Sequence, residues 1–221
     1  MASNSYFKVF FSLILFSVMA MTVSAQVGKY DSKMVEFKKQ DSISPPKKGM
    51  VLLIGSSSFT KWTDVQSYFP DHSILNRGFG GSTLPLLIAH SEDVIFRYKP
   101  KQILVYCGDN DLLRASPQHV LEDFQTLYFL IRERLGKKVN ITYVSIKPSP
   151  RRKRNMQKTE ETNRLIEAFL NNEKNTGFIN IYDKMLDNKG DPNQELFLKD
   201  NLHMNAKGYK IWQGAIAPKL K

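Results

Sequence analysis

Cysteine is nearly absent: Cys107 is the only one in 221 residues, so no internal disulfide can form. It closes the apolar run Ile103-Leu104-Val105-Tyr106-Cys107, where burial accounts for it. The fold must therefore hold by packing alone, and roughly 190 residues beyond the N-terminal segment are ample for a core. No cysteine follows the first apolar run, which excludes a lipid anchor on cysteine. Internal repeats and low-complexity stretches are also missing. No segment after residue 25 is long and apolar enough to span a bilayer.

Acidic residues are in deficit, 21 against 32 Lys and Arg, for a formal charge of +11. Such an excess can mark nucleic-acid or membrane-surface binding. Here the cations are scattered apart from Arg151-Arg152-Lys153-Arg154, and no nucleic-acid-binding motif accompanies them. The charge is taken as a solubility feature, with no nucleic-acid partner. An apolar fraction of 42% and a charged fraction of 24% are those of a globular protein.

The N-terminus differs from the rest. Lys8 precedes an apolar run from Val9 to Met21, and Val23-Ser24-Ala25 gives a small-x-small end. This predicts a secretory signal over residues 1–25, with an uncleaved anchor as the alternative. The run is short for a membrane span of about 20 residues, which favours cleavage after Ala25 and hence a periplasmic or extracellular protein without stable membrane insertion. Residues 26–48 are expected to form a polar lead-in, with a short helix around Val35–Asp41, lying on the surface of a domain that occupies residues 49–221.

Within that domain apolar runs alternate with helical patterns. Strands are predicted at Met50–Ile54, Ser73–Asn76, Gln102–Cys107, Val139–Ile146 and Phe178–Tyr182. Helices are predicted at Thr83–Phe96, Pro117–Leu135, Thr159–Asn171 and Asn205–Leu220. The second of these is the clearest, with Val120, Phe124, Leu127, Ile131 and Leu135 on one stripe. This alternation specifies an α/β fold, a doubly wound sandwich around a five-stranded parallel sheet. In such sheets ligands sit at the carboxyl ends of the strands.

Three short motifs follow the first three strands: Gly55-Ser56-Ser57-Ser58, Gly78-Phe79-Gly80-Gly81 and Gly108-Asp109-Asn110-Asp111. They share one rim of the sheet. A fourth, Asp200-Asn201-Leu202-His203, precedes the last helix. A serine becomes a nucleophile when a base takes its proton, and the base is usually histidine. Of His72, His90, His119 and His203, only His203 has a carboxylate, Asp200, three residues before it in a loop. Taken singly these motifs are ordinary caps and turns. Together they supply a serine, backbone N–H donors, a side-chain amide and an Asp/His pair, the parts of acyl transfer.

In order and strand context these blocks resemble the SGNH hydrolases, also called GDSL esterases and lipases. The resemblance runs from Met50 to the C-terminus and is closest to a secreted bacterial subfamily with a Gly-Ser-Ser-Ser first block. Lys147-Pro148-Ser149-Pro150, Leu202-His203-Met204-Asn205 and Gly208-Tyr209 extend it. The resemblance implies a three-layer, flavodoxin-like sandwich. It implies Ser57 as nucleophile, His203 as base and Asp200 as its orienting partner. The oxyanion hole it implies comprises the N–H groups of Ser57 and Gly81 and the amide of Asn110. Ser56 departs from the family pattern, which has Asp there, and Ser58 is an adjacent competitor for the nucleophile role. The implied substrate is a carboxylic ester such as an acetylated sugar, a lipid or a short-chain acyl ester, with no cofactor. The alternative is an inactive carbohydrate- or surface-binding domain on the same fold.

Three further groups were weighed. Arg151 and Arg152 follow the fourth strand and are candidate substrate-binding residues, or else a solvated loop. Phe59 and Trp62 are assigned to the core rather than to an acyl pocket. Asp109 and Asp111 form a possible metal pair, but without a histidine cluster no metal site is assigned.

Overall fold

The computed structural model describes residues 28–221, so the expected signal segment lies outside the described residues. From the N-terminus the principal elements are α1 (Asp31–Ile43), β1 (Val51–Gly55), α2 (Ser57–Thr60), α3 (Val65–Tyr68), β2 (Ile74–Asn76), α4 (Leu84–Ala89), β3 (Gln102–Tyr106), α5 (Pro117–Leu135), β4 (Asn140–Val144), α6 (Met156–Asn171), β5 (Thr176–Ile179) and α7 (Ala206–Ile216). All four strand pairings are parallel and the order is β2-β1-β3-β4-β5. This is the flavodoxin-like order, whose direction reverses between β1 and β3.

Strands β1, β3 and β4 are buried along their whole length, as their continuous apolar runs require. Alternate residues feed two cores. Leu52, Ile54, Ile103, Val105, Ile141 and Tyr143 pack with α1, α4, α5 and α6. Val51, Leu53, Leu104, Tyr106 and Val144 pack with α2, α3 and α7. Phe59 and Trp62 lie in the second core, fully buried, with Phe59 edge-on to Trp212 and Trp62 stacked on Tyr209.

The region ahead of β1 departs from expectation. It is not a surface lead-in: Tyr30, Met34 and Phe37 enter the first core. Asp41, near the end of α1, accepts from the Arg77 guanidinium and from the Tyr98 hydroxyl. Arg77 is buried, and the Asp41 side chain is only 9% exposed. The spacing of residues 30, 34 and 37 puts them on one helical face, a stripe too narrow to stand out among the surrounding lysines.

The expected helix over Thr83–Phe96 is two pieces, α4 and a π-helical turn at Glu92–Phe96. The break falls at His90, whose buried ring meets Phe79 and Tyr30 edge-on. Helix α5 has the expected bounds. Ser116 accepts from the N–H of His119 at its start, and Gly136 ends it at φ 77°.

Candidate active site

Strand β1 ends at Gly55, with φ 135°, where a Cβ would stand 1.8 Å from the Tyr106 carbonyl oxygen of β3. No side chain fits there, and the chain turns sharply into α2. Three serines follow, and the turn sorts them. Ser56 and Ser58 are buried, while Ser57 is partly open. Ser57 is the first residue of α2, so its N–H has no partner within the helix.

His203 reaches Ser57 from the other end of the chain. Its Nε2 is 3.0 Å from Ser57 Oγ, and its Nδ1 is 2.6 Å from Asp200 Oδ2. Oδ1 of Asp200 accepts the backbone N–H groups of Leu202 and His203, at 3.0 and 2.9 Å, which closes the turn. Asn201 adopts φ 58° within it, and its carbonyl accepts the Arg151 N–H at 2.9 Å. Burial pulls the Asp200 carboxyl upward, but the His203 ring and these two N–H groups outweigh it and hold the carboxyl far below the usual carboxylate range. An ionised Asp200 fixes the tautomer in which Nδ1–H donates to it and Nε2 accepts from the serine hydroxyl.

Gly78-Phe79-Gly80-Gly81 follows β2. The Phe79 N–H donates to the Gly55 carbonyl and the Ser82 N–H to the Phe79 carbonyl. Gly81 has φ 80°. Among the described residues the N–H groups of Ser57 and Gly81 donate to no protein acceptor. An ideal Cβ at Gly80 would lie 3.8 Å from Ser57 Cβ, which sets this loop beside the serine.

Asn110, after β3, is more engaged than the sequence suggests. Its amide donates to Ser56 Oγ at 2.8 Å and to the Ser82 carbonyl at 3.0 Å. Both amide protons are thus used, and a substrate oxygen must share one of them. Ser56, where the family pattern has Asp, accepts from Asn110 and so ties the first rim loop to the third.

The remaining candidates behave differently. Asp109 is 3.4 Å from Lys147 Nζ and 3.6 Å from Arg152 Nε. Lys147 is buried against the Tyr106 ring. Burial disfavours its ammonium, but Tyr106 and Asp109 outweigh this and raise its pKa. Arg152 therefore faces a carboxylate, while the Arg151 side chain is exposed. Asp111 is buried and accepts the Leu84 N–H at 2.8 Å. Among the described residues no group of three or more His, Cys, Asp or Glu is placed to hold a metal ion. His119 also meets carboxylates, Glu122 and Asp123, but on an exposed face of α5. Lys147, Ser82 and the acceptor role of Ser56 escaped the sequence reading. Lys147 stood in a matched block, but its burial leaves no mark in composition.

These groups converge at the switch point of a parallel flavodoxin-like sheet, and the family of the chain is one of ester-bond hydrolases. The chain belongs to the GDSL-like lipase/acylhydrolase family, whose model matches residues 53–211. Among solved structures it is similar to one described as a platelet activating factor from Streptococcus pneumonia, with TM-score 0.77 and 18% identity over 93% of this chain and 99% of the other. A GDSL-like lipase from Bacteroides thetaiotaomicron superposes with TM-score 0.71 and 19% identity over 88% and 97% of the two chains. An acetyl-xylooligosaccharide esterase from Geobacillus Stearmophilus gives 0.59 and 15% over 78% and 94%. None of the curated proteins matches the chain.

Proposed function

We propose that this protein is an exported serine ester hydrolase working through an acyl-enzyme on Ser57. The observation that carries the reading is the His203 imidazole, in contact with Ser57 Oγ on one side and Asp200 on the other. His203 Nε2 takes the hydroxyl proton as Ser57 Oγ attacks the ester carbonyl carbon. The carbonyl oxygen gains the charge and faces the N–H groups of Ser57 and Gly81 and the Asn110 amide. One such donor is worth about 3–4 kcal/mol of transition-state stabilisation. Collapse expels the alcohol, which receives the proton from His203. A water then gives a proton to His203 and attacks the acyl-serine, releasing the acid and restoring Ser57.

The proposed substrates are small-molecule, lipid or carbohydrate esters, acetylated sugars among them, and the acetyl-xylooligosaccharide esterase shares the fold. Arg151 is proposed to meet an oxygen-rich substrate, since its backbone is bonded to the Asp200–His203 turn and its side chain is exposed. Arg152 stands beside Asp109 on the same rim. Export rests on the sequence of residues 1–25, and the mature protein should begin at Gln26 when its N-terminus is sequenced.

The test is labelling by a fluorophosphonate and turnover of short-chain nitrophenyl esters. Ser57→Ala should abolish labelling, and His203→Ala should cut kcat by about 10⁶-fold. An unlabelled wild type, or a Ser57→Ala protein that labels as well as wild type, refutes the reading. Loss of labelling in Ser58→Ala alone moves the nucleophile by one residue.

A further inference from the structure

We infer that Tyr30, a residue outside the matched family segment, is a positioning residue that latches the Gly80–Gly81 peptide so that its N–H faces the reacting carbonyl. The inference rests on the serine reading above.

The Tyr30 side chain is buried immediately before α1. Its hydroxyl donates to the Gly80 carbonyl oxygen at 3.2 Å. That carbonyl and the Gly81 N–H are the two ends of one planar peptide unit, pointing in opposite directions. Whatever holds the carbonyl therefore aims the N–H. The ring that carries the hydroxyl is itself fixed, edge-on to Phe79 at 5.0 Å and to His90 at 6.2 Å. Burial raises the Tyr30 pKa, so the hydroxyl remains a donor at neutral pH.

A latch is needed because this peptide joins two glycines. Its neighbours are tied down, since the Phe79 N–H is bonded to the Gly55 carbonyl and the Ser82 N–H to the Phe79 carbonyl. Between fixed ends, a Gly–Gly peptide can still turn over through its two flanking torsions, which glycine leaves soft. Turning over would present the Gly80 carbonyl oxygen to the developing oxyanion in place of a donor. Among the described residues Tyr30 is the side chain that bonds that carbonyl. The fit is mutual: a Cβ on Gly81 would come within 3.0 Å of the Tyr30 hydroxyl, and among the described residues beyond its chain neighbours no other atom lies within 4 Å of that point. The missing side chain leaves the hydroxyl its place. Donation into the carbonyl also polarises the N–H at the other end of the unit, the cooperative strengthening expected of chained hydrogen bonds.

Tyr30→Phe keeps the ring packing and removes only the hydroxyl. Because the latch acts on a contact made in the transition state, kcat on a nitrophenyl ester should fall about tenfold, less than loss of a whole oxyanion donor. KM should hold within twofold, fluorophosphonate labelling should slow in parallel, and Tm should be nearly unchanged. A kcat within twofold of wild type overturns the latch. So does a loss confined to KM, or one accompanied by a large fall in Tm, which would mark a structural role. Ser57→Ala run beside it separates the two ideas. If that variant turns over like wild type, the serine reading itself fails. If it is inactive while Tyr30→Phe is normal, only the latch fails.

Discussion

Asp111 shows how a single buried carboxyl couples this rim to pH. Burial raises its pKa to about 6, only partly offset by the N–H donors it accepts. A carboxyl with a folded pKa above its ordinary 3.8 favours the fold when protonated. Its contribution is complete below about pH 4 and is lost as pH rises through 6, an amount of roughly 3 kcal/mol for two units. Asp111→Asn can still accept the Leu84 N–H but cannot ionise. The stability gap between variant and wild type should therefore shift in the variant's favour by about 2–3 kcal/mol from pH 4 to pH 7.5. Urea unfolding at both pH values measures it, and a constant gap refutes it. Ser56 makes the contrasting case at the same scale. Its burial and its bond from Asn110 could not be read from Gly-Ser-Ser-Ser, because three identical side chains differ only in which way the turn points them. Ser57 was legible because it follows the end of a strand, and the Asp200–His203 pair because a carboxylate stands three residues before an imidazole just ahead of the last helix. Tyr30 was not, since its partner is a backbone carbonyl 50 residues away.

Elements were legible in proportion to their length. Helix α5 carries five turns of one stripe and both end signals, and its bounds agree with the reading. Helices α2 and α3 have four residues each, barely one turn and too short for a stripe to repeat, and were missed. The split at His90 was invisible because a π turn shifts the apolar phase without removing apolar residues. Helix α7 gives an element-scale prediction. Asn205 caps it by accepting the N–H groups of Lys207 and Gly208, and its own amide donates to the carbonyls of Glu195 and Phe197. One residue, Met204, separates it from His203. Asn205→Ala should cost about 1–3 kcal/mol in urea unfolding. Its kcat should fall with it, since the same residue anchors the strand of chain that carries the imidazole. Unchanged stability would show that water replaces the cap.

At the scale of the whole molecule, the domain begins earlier than the first of the rim motifs. A chain starting at Gly49 lacks Tyr30, Met34 and Phe37, each worth about 1.5–3 kcal/mol of burial. It also leaves the Arg77 guanidinium buried without Asp41, a further cost of about 3–5 kcal/mol. Those losses are comparable to the stability of an entire domain. The truncated chain should be recovered insoluble or without a cooperative thermal transition, whereas one starting at Gly28 should melt like the full chain. A soluble, cooperative Gly49 form would place α1 outside the folding unit.

Ser57 and His203 stand 3.0 Å apart in space and 146 residues apart in the chain. Contacts between such distant positions are the slowest to be won in folding, because the loop between them must first lose its freedom. Helical circular dichroism can recover while the C-terminal turn is still undocked, but turnover cannot. In a refolding experiment the return of esterase activity should therefore trail the return of secondary structure, and the lag between the two clocks the closing of the chain's ends.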